Sequence, residues 1–299
     1  MPCYHPLQGW RSRTVNPTGK RSLVFNKNHG FSDLPVEVPC GQCVGCRLER
    51  SRQWAIRCVH EASLYQDNCF ITLTYNNETL PPDQGLQLRD FQLFMKKLRK
   101  ELSPKIIRFF HCGEYGDTTN RPHYHACLFN HDFEDKTLFK VQNGNPLYSS
   151  DTLTDLWGNG HALIGAVTFQ SAAYVARYIM KKITISDKTP DHLKNHYNGR
   201  KPEYTTMSRR PGIAADWLKK YKNDVYPSDT IIINGKKHSS IKFYDSQYEI
   251  TNPDELKLLK LQRIKRSIQH AENNTIDRLQ TREAIQIVKL NLLQRNLEL

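Results

Sequence analysis

The sequence predicts an α+β protein in which a central antiparallel sheet carries helices on one side and a helical tail follows it. Three observations predict this. From Cys69 to Lys182 the hydrophobic pattern alternates in the order β-α-β-β-β-α, which suits an antiparallel sheet with segregated helices. Two of its strand-like runs are joined by the polar stretch Gly116-Asp-Thr-Thr-Asn-Arg-Pro122, as in an antiparallel hairpin. Beyond Pro253 the apolar residues step by three and four, with charges between them, the pattern of long helices.

Taken in order, residues 1–46 are rich in Gly, Pro and Asn and predict an irregular basic arm ending in a cysteine cluster. Leu48, Trp54, Ala55, Cys58, Val59 and Ala62 then recur at helical spacing between Arg47 and about Tyr65. Cys69-Phe-Ile-Thr-Leu-Thr-Tyr75, β-branched and aromatic, is a strand stopped by Asn76-Asn77 and Pro81-Pro82. Phe91, Phe94, Met95 and Leu98 stand at i, i+3, i+4 and i+7 of a helix over Leu88–Leu102, which ends before Pro104. Strands follow at Lys105–Cys112, His123–Phe129 and about Ala162–Phe169, then a helix from about Ser171 to Lys182. Residues 186–250 are mixed and polar, with short β-like runs such as Ile231-Ile-Ile-Asn234. In the tail, Leu258, Leu261, Ile264 and Ile268 form one stripe, and Ile276, Leu279, Ile287, Leu290 and Leu293 continue the pattern. The tail is either a solvated helix docked on the core or a partner or self-association helix. The expected divisions are 1–46, 47–185, 186–250 and 251–299.

A chain of 299 residues holds one large domain, or a medium one with extensions. Its net charge of +13 and pI of about 9.3 make a polyanion the expected partner, nucleic acid being the commonest. No apolar run approaches the roughly 20 residues that cross a bilayer, and the N-terminus has no apolar signal core, so no membrane partner is expected. The hydrophobic fraction of 38% is lean, which predicts that part of the chain is poorly buried.

Four groups of residues carry chemistry. In His123-Tyr124-His125 both imidazoles project from one face of a strand and can grip one divalent metal. Glu114 joins them if the hairpin register sets it opposite His123 or His125, whereas a one-residue slip turns it away. Two histidines and a carboxylate leave positions open for water and a phosphate oxygen, which suits Mg²⁺ or Mn²⁺. The other reading is surface histidines and a carboxylate near a turn.

In the second group, Tyr174 and Tyr178 lie one turn apart on one helical face, and Lys181 follows on nearly the same face. A phenol is a poor nucleophile at neutral pH, but nearby cations and a metal-polarised phosphate make its attack feasible, leaving a phosphotyrosine and a free DNA hydroxyl. The alternative is two tyrosines packed in the core.

Third, Cys40, Cys43 and Cys46 form a cluster of thiols among eight cysteines. With no export signal, metal ligation explains it better than disulfides. Structural Zn²⁺ wants four ligands; Cys3 or His5 can supply the fourth. An iron–sulfur run would continue with a further Cys and Pro, which do not follow here. Fourth, Met207-Ser-Arg-Arg-Pro-Gly-Ile213 sets Arg209 and Arg210 in a turn able to clamp a phosphate. Arg121 and Arg177, inside the first two motifs, are further candidate DNA contacts.

Together and in this order these motifs resemble those of HUH endonucleases: the strand Phe70–Tyr75, the His123-Tyr-His125 pair and the tyrosine helix. Tyr174-Val-Ala-Arg-Tyr178-Ile-Met-Lys-Lys182 resembles the two-tyrosine replication initiators of microviruses. Pro39-Cys-Gly-Gln-Cys-Val-Gly-Cys46, Cys112-Gly-Glu-Tyr-Gly116, Arg121-Pro-His-Tyr-His125 and Met207-Ser-Arg-Arg-Pro-Gly212 are similar to the gokushovirus branch. The resemblance spans about residues 1–215.

It implies the HUH fold, an antiparallel sheet related to the RNA-recognition fold, with a nicking domain over 47–185. Tyr174 and Tyr178 would alternate as nucleophiles in rolling-circle replication, one nicking the origin and holding the 5′ phosphate, the other resolving the unit-length strand. Lys181 or Lys182 would stabilise the transition state or bind DNA, and the first motif, without a charge, would support the site from beneath. The partners implied are single-stranded and origin DNA in the cytoplasm of a bacterial host. No Gly-x4-Gly-Lys-Ser/Thr phosphate loop occurs, so unwinding would fall to a host helicase and the host replication machinery. Two rivals stand beside this reading. One is a zinc-stabilised, non-catalytic single-stranded nucleic-acid-binding protein. The other is a His-x-His-x-His phosphoesterase with a histidine nucleophile, against which Cys127 counts.

Overall fold

Runs that are apolar on both sides need cover on both sides, and this decides the architecture. The computed structural model describes residues 3–17, 19–116, 119–142, 144–181 and 199–292, and the side chains of all of these except 177–181. Lys182 and Leu293 lie outside the described residues, as do the side chains of Arg177, Tyr178 and Lys181. By its internal contacts the chain forms two units, one of residues 50–263 and one that joins 1–49 to 264–294.

The first unit contains a seven-stranded antiparallel sheet. Its strands are β4 (Asn68–Tyr75), β5 (Arg108–Tyr115), β6 (Pro122–Phe129), β7 (Thr137–Gln142), β8 (Asn145–Ser149), β9 (Gly160–Gly165) and β10 (Tyr204–Met207), in the spatial order β10-β5-β6-β4-β9-β8-β7. The central strands are buried on both faces, so helices cover both faces and not one side as the sequence predicts. Over one face lie α2 (Leu88–Glu101) and α3 (Asp151–Trp157). There Phe91, Phe94, Met95, Leu98, Leu153 and Trp157 pack on Ile71, Leu73, Tyr124 and Leu128. Over the other lie α1 (Val44–Ala62) and α4 (Phe169–Lys181), with Ala55, Cys58, Ala172, Tyr174 and Val175 against Phe70, Phe110, Cys112 and Cys127. The period-two alternation of the strands sorts the two sets.

The β7–β8 hairpin goes unread in the sequence because Leu138, Phe139 and Val141 are exposed at the sheet edge and give no buried face. The helix α3, seven residues long, buries Leu153, Leu156 and Trp157 but is too short to show a helical period. At the start of β9, Gly160 has φ +141°, and a Cβ there would lie 2.3 Å from the Asn76 backbone nitrogen. Only glycine permits that approach.

Residues 204–259 are better buried than their polarity suggests. The helices α5 (Ala215–Val225), α6 (Lys242–Thr251) and α7 (Pro253–Ile268) and the hairpin of β11 (Thr230–Ile233) with β12 (Lys236–Ser239) surround a third core. Trp217, Tyr226, Ile231, Tyr244, Leu256 and Leu259 fill it, together with Ile56 of α1. The β11–β12 turn is Asn234-Gly235, both at positive φ, the pairing that a two-residue hairpin favours. Arg263 braces this core by bonding Asp229 and Asp245.

In the second unit, the predicted irregular arm is instead a small antiparallel sheet of β1 (Leu7–Ser12), β2 (Leu23–Val24) and β3 (Gly30–Val38) in the order β2-β1-β3. Its strands bury few side chains, so the alternation that announces a strand is missing. The tail is helical as predicted, in α7 and α8 (Ile276–Asn291). The predicted stripe is not the buried one, however: Leu258, Leu261, Ile264 and Ile268 are exposed, and α7 buries Leu256 and Leu259 instead. Among the described residues, no helix is long and apolar enough to cross a membrane.

Candidate functional site

The hairpin register is the one the metal reading requires. Glu114 of β5 pairs with His123 of β6, and Cys112 with His125, so Glu114, His123 and His125 share a face. Their ligand atoms all lie within 4.8 Å of one another. Glu114 Oε1 stands 3.0 Å from His123 Nε2 and 2.6 Å from His125 Nε2.

Each imidazole is held from behind. His123 Nδ1 donates to the Arg121 carbonyl at 3.1 Å, and His125 Nδ1 bonds Thr72 Oγ1 at 2.9 Å. Thr72 faces His125 because β4 pairs with β6 at that position. A carbonyl only accepts, so His123 Nδ1 carries a proton, and Nε2, turned to the carboxylate, is the nitrogen left to ligate a metal. The Phe70 ring stacks on His125 at 5.5 Å. Access is one-sided: the His123 side chain is 15% exposed, while Glu114 and His125 are 1% exposed.

The chemistry of this donor set fits a divalent cation. Two imidazole nitrogens and a carboxylate oxygen converge on one point, and Glu114 Oε2 is buried without a hydrogen-bond partner among the described residues, a costly arrangement unless a cation compensates it. Burial alone would raise the Glu114 carboxyl. The imidazoles, His125 most strongly, overcome it and hold the carboxyl at about 2, so the oxygen is anionic.

Above the three residues lies α4. Its Tyr174 is buried, with the hydroxyl donating to Glu114 Oε1 at 3.2 Å and the ring edge-on to His125 at 5.1 Å. Ser51 Oγ fastens this helix to α1 by bonding the Ala173 carbonyl at 3.0 Å. Tyr178 and Lys181 follow on the same helix. The structure thus brings together Glu114, His123, His125 and Tyr174, and adds Thr72 of the strand Phe70–Tyr75, which the sequence marks as support beneath the site without singling out this residue.

Other predicted residues sit apart from this group. The Arg121 guanidinium is spent on the Tyr75 carbonyl at 3.1 Å and Asn77 Oδ1 at 3.0 Å, bracing the loop after β4. Arg209 and Arg210 are exposed on the turn after β10. That turn is anchored from within: Arg108 donates to the Pro211 carbonyl at 2.8 Å and pairs with Glu61, which accepts from the Ala214 amide.

In the other unit, the sulfurs of Cys3, Cys40, Cys43 and Cys46 all lie within 4.8 Å of one another. Cys3 is therefore the fourth member of the cluster. His5, the alternative, instead bonds Glu283 at 2.6 Å. The chemistry of four converging thiols suits one tetrahedral metal ion.

Comparisons with known proteins agree with the motifs. The family model for "Replication-associated protein ORF2/G2P" matches residues 68–183, the stretch that holds the histidine pair and the tyrosine helix. The replication-associated protein VP4 of Bdellovibrio phage phiMH2K is 32% identical over 265 residues, covering 85% of this chain and 79% of that one. ORF2 of Spiroplasma virus 4, also named a replication-associated protein, is 33% identical over 248 residues, with 78% and 73% covered. ORF4 of Chlamydia phage 1, of the same description, is 26% identical over 224 residues, with 72% and 54% covered. No solved structure matches the chain.

Proposed function

The chain belongs to the phage replication-associated proteins, the microvirus-type initiators its motifs resemble, and from that premise we propose that it starts rolling-circle replication by nicking and rejoining single-stranded DNA through tyrosine nucleophiles. One observation carries the reading: the Tyr174 hydroxyl touches the carboxylate that His123 and His125 also reach. In this reading the sheet is an HUH sheet, and β6 is its histidine strand.

Glu114, His123 and His125 would hold a divalent cation, Mg²⁺ or Mn²⁺, which when bound supplies Lewis-acid polarisation of a phosphate oxygen. Tyr174 lies beside that point, fixed by α4 packing and its hydrogen bond, so little motion separates it from a phosphate there. Attack forms a bond between the phenol oxygen and phosphorus and breaks the bond to the 3′ oxygen. The phenol gives up its proton and the departing 3′ oxygen gains one. No energy source is consumed, because the phosphotyrosine keeps the ester bond for rejoining.

Tyr178 takes the other half of the cycle: two phenols one turn apart let one hold a 5′ phosphate while the other cuts again. Lys181 and Lys182, which follow Tyr178 in the sequence, supply cationic charge for the transition state or for DNA. Arg209 and Arg210 bind the DNA backbone, as does the chain's positive charge generally. Duplex unwinding falls to a helicase of the bacterial host, in whose cytoplasm the cycle runs. The four clustered thiols hold structural zinc.

The test is to incubate the full chain in Mn²⁺ with labelled single strands tiling the genome that encodes it, then sequence the ends and map the DNA-linked peptide. We expect one cut site and a linkage to Tyr174 or Tyr178. Cleavage that persists in the Tyr174→Phe/Tyr178→Phe double variant would sink tyrosine chemistry. Tight binding of these strands with no cutting would favour the non-catalytic nucleic-acid-binding protein.

A further inference from the structure

The two ends of the chain meet around the four cysteines, and the core they share is mostly thiol. Buried there are Tyr4, Cys43, Val44, Cys46 and Leu279, with Cys3, Cys40, Leu48 and Leu290 partly buried against them. The helix α8 buries only Leu279, while its Ile276, Ile285, Ile287 and Val288 are exposed. A polar tie to the N-terminal segment is the exposed bond between Glu283 and His5. A 16-residue helix is marginal alone in water, and a core this small seldom holds without a staple.

Backbone amides are aimed at the sulfurs. Cys40 N–H donates to Cys3 Sγ at 3.2 Å, Gln42 and Cys43 N–H to Cys40 Sγ at 3.4 and 3.3 Å, and Tyr4 N–H to Cys43 Sγ at 3.4 Å. Amide donors suit anionic sulfur, the form that binds a metal. Sulfurs within 4.8 Å of one another can close on a single tetrahedral ion, whose ~2.3 Å bonds set them about 3.8 Å apart.

We propose that a zinc ion held by Cys3, Cys40, Cys43 and Cys46 is what docks the C-terminal helix, so that the two chain ends form one metal-dependent module. The inference rests on the zinc reading of these thiols and is independent of the strand-cutting chemistry. Binding replaces four S–H bonds by four Zn–S bonds and releases four protons to solvent. Without the ion, four apposed thiols give Leu279 and Leu290 too little to pack on, and α8 leaves.

The test uses the full chain purified without chelator. Elemental analysis should give one zinc per chain, and the Cys40→Ser/Cys43→Ser variant should give less than a tenth of that. Hydrogen exchange is then compared before and after a mercurial strips the metal. Peptides from 276–291 should lose protection by about 100-fold, while peptides from 88–101 in α2 should not change. Leu279→Ala should release α8 yet keep the zinc, which separates the helix from the ligands. Absence of zinc and iron would overturn the zinc reading, and the inference with it. Zinc that is present and removable with no change in α8 exchange, or full α8 protection in Leu279→Ala, would overturn the inference alone. A Tyr174→Phe/Tyr178→Phe chain should keep both zinc and α8 protection, so failure of the nicking reading leaves this result intact.

Discussion

The Tyr174 hydroxyl donates to Glu114 Oε1 across 3.2 Å, and the same oxygen faces both histidines. A phenol in a purely structural role needs only some acceptor; this one has selected the carboxylate at the centre of the candidate metal group. Tyr174→Phe keeps the ring packing against His125 and removes only the oxygen. DNA joined to Tyr174 should then vanish and the rejoined product should fall by about 10³-fold or more, as for loss of a nucleophile. Gel analysis of cut and rejoined strands reads this directly, and an unchanged rejoining rate would remove Tyr174 from the chemistry.

Thr72 reaches the same group from behind, through His125 Nδ1. Thr72→Val keeps the shape and deletes the hydroxyl, leaving a buried ring nitrogen without its orienting partner. Loss of such a contact typically costs about 10- to 100-fold in metal affinity or activity. Mn²⁺ titration should show the shift with the circular dichroism spectrum unaltered; affinity equal to wild type would mean that Thr72 only packs.

His123 carries the solvent-facing side of the group. His123→Ala should abolish metal-dependent cleavage while single-stranded DNA binding, which depends on the chain's positive charge, changes less than about twofold. Fluorescence anisotropy and cleavage on one preparation check both halves. Joint loss of binding and folding would mark His123 as structural.

Much of this site was legible in the sequence, for identifiable reasons. Strand alternation placed His123 and His125 on one face, and helical spacing marked the tyrosine helix whose Tyr174 reaches them; the Tyr178 side chain lies outside the described residues. Glu114 depended on register, which spacing across a hairpin leaves open until the pairing with His123 is seen. The first-motif strand Phe70–Tyr75 was expected to support the site from beneath, but not which residue would do so: a neutral hydroxyl in an apolar strand carries no chemical signal that singles out Thr72. The arm strands β1–β3 and the β7–β8 hairpin were missed because they bury few side chains, so no periodicity betrays them. The helices that become α1, α2 and α4 were read, but not their division between the two faces of the sheet, because apolar strands say that both faces are covered and not by which helix. In the tail, leucines at helical spacing ran on two faces, and only packing chose Leu256 and Leu259 over Leu258 and Leu261.

His60 ties stability to pH. It is stacked on Trp217 at 3.5 Å and bonded to the Tyr244 hydroxyl at 2.7 Å, and burial pushes its imidazole down to about 4. The unfolded chain binds this proton near 6.5 and the folded one does not until about 4. Stability is therefore full above pH 6.5 and drains as pH falls to 4, by roughly 3 kcal/mol from this residue. Urea midpoints measured across that range should fall in the wild type and fall less in His60→Gln. Parallel curves for the two would exclude His60 as the source.

The Arg108–Glu61 pair supports the exposed arginines at a distance. Both side chains are buried, and both hold the turn after β10, through the Pro211 carbonyl and the Ala214 amide. Arg57 adds a third bond, to the Ile213 carbonyl at 3.0 Å. Removing one partner of a buried pair strands the other charge and typically costs about 3–5 kcal/mol. Glu61→Gln leaves Arg108 charged and weakens the hold on Ala214, so chemical denaturation should show a loss of that order. The double variant Glu61→Gln/Arg108→Met removes the stranded charge and should recover part of it. DNA binding adds a separate reading. If Arg209 and Arg210 contact the backbone because this pair sets their turn, Glu61→Gln should weaken single-stranded DNA binding under conditions where the chain is still folded, and the double variant should not restore it. Stability recovered together with binding would show that the turn needs only a folded core, not this pair.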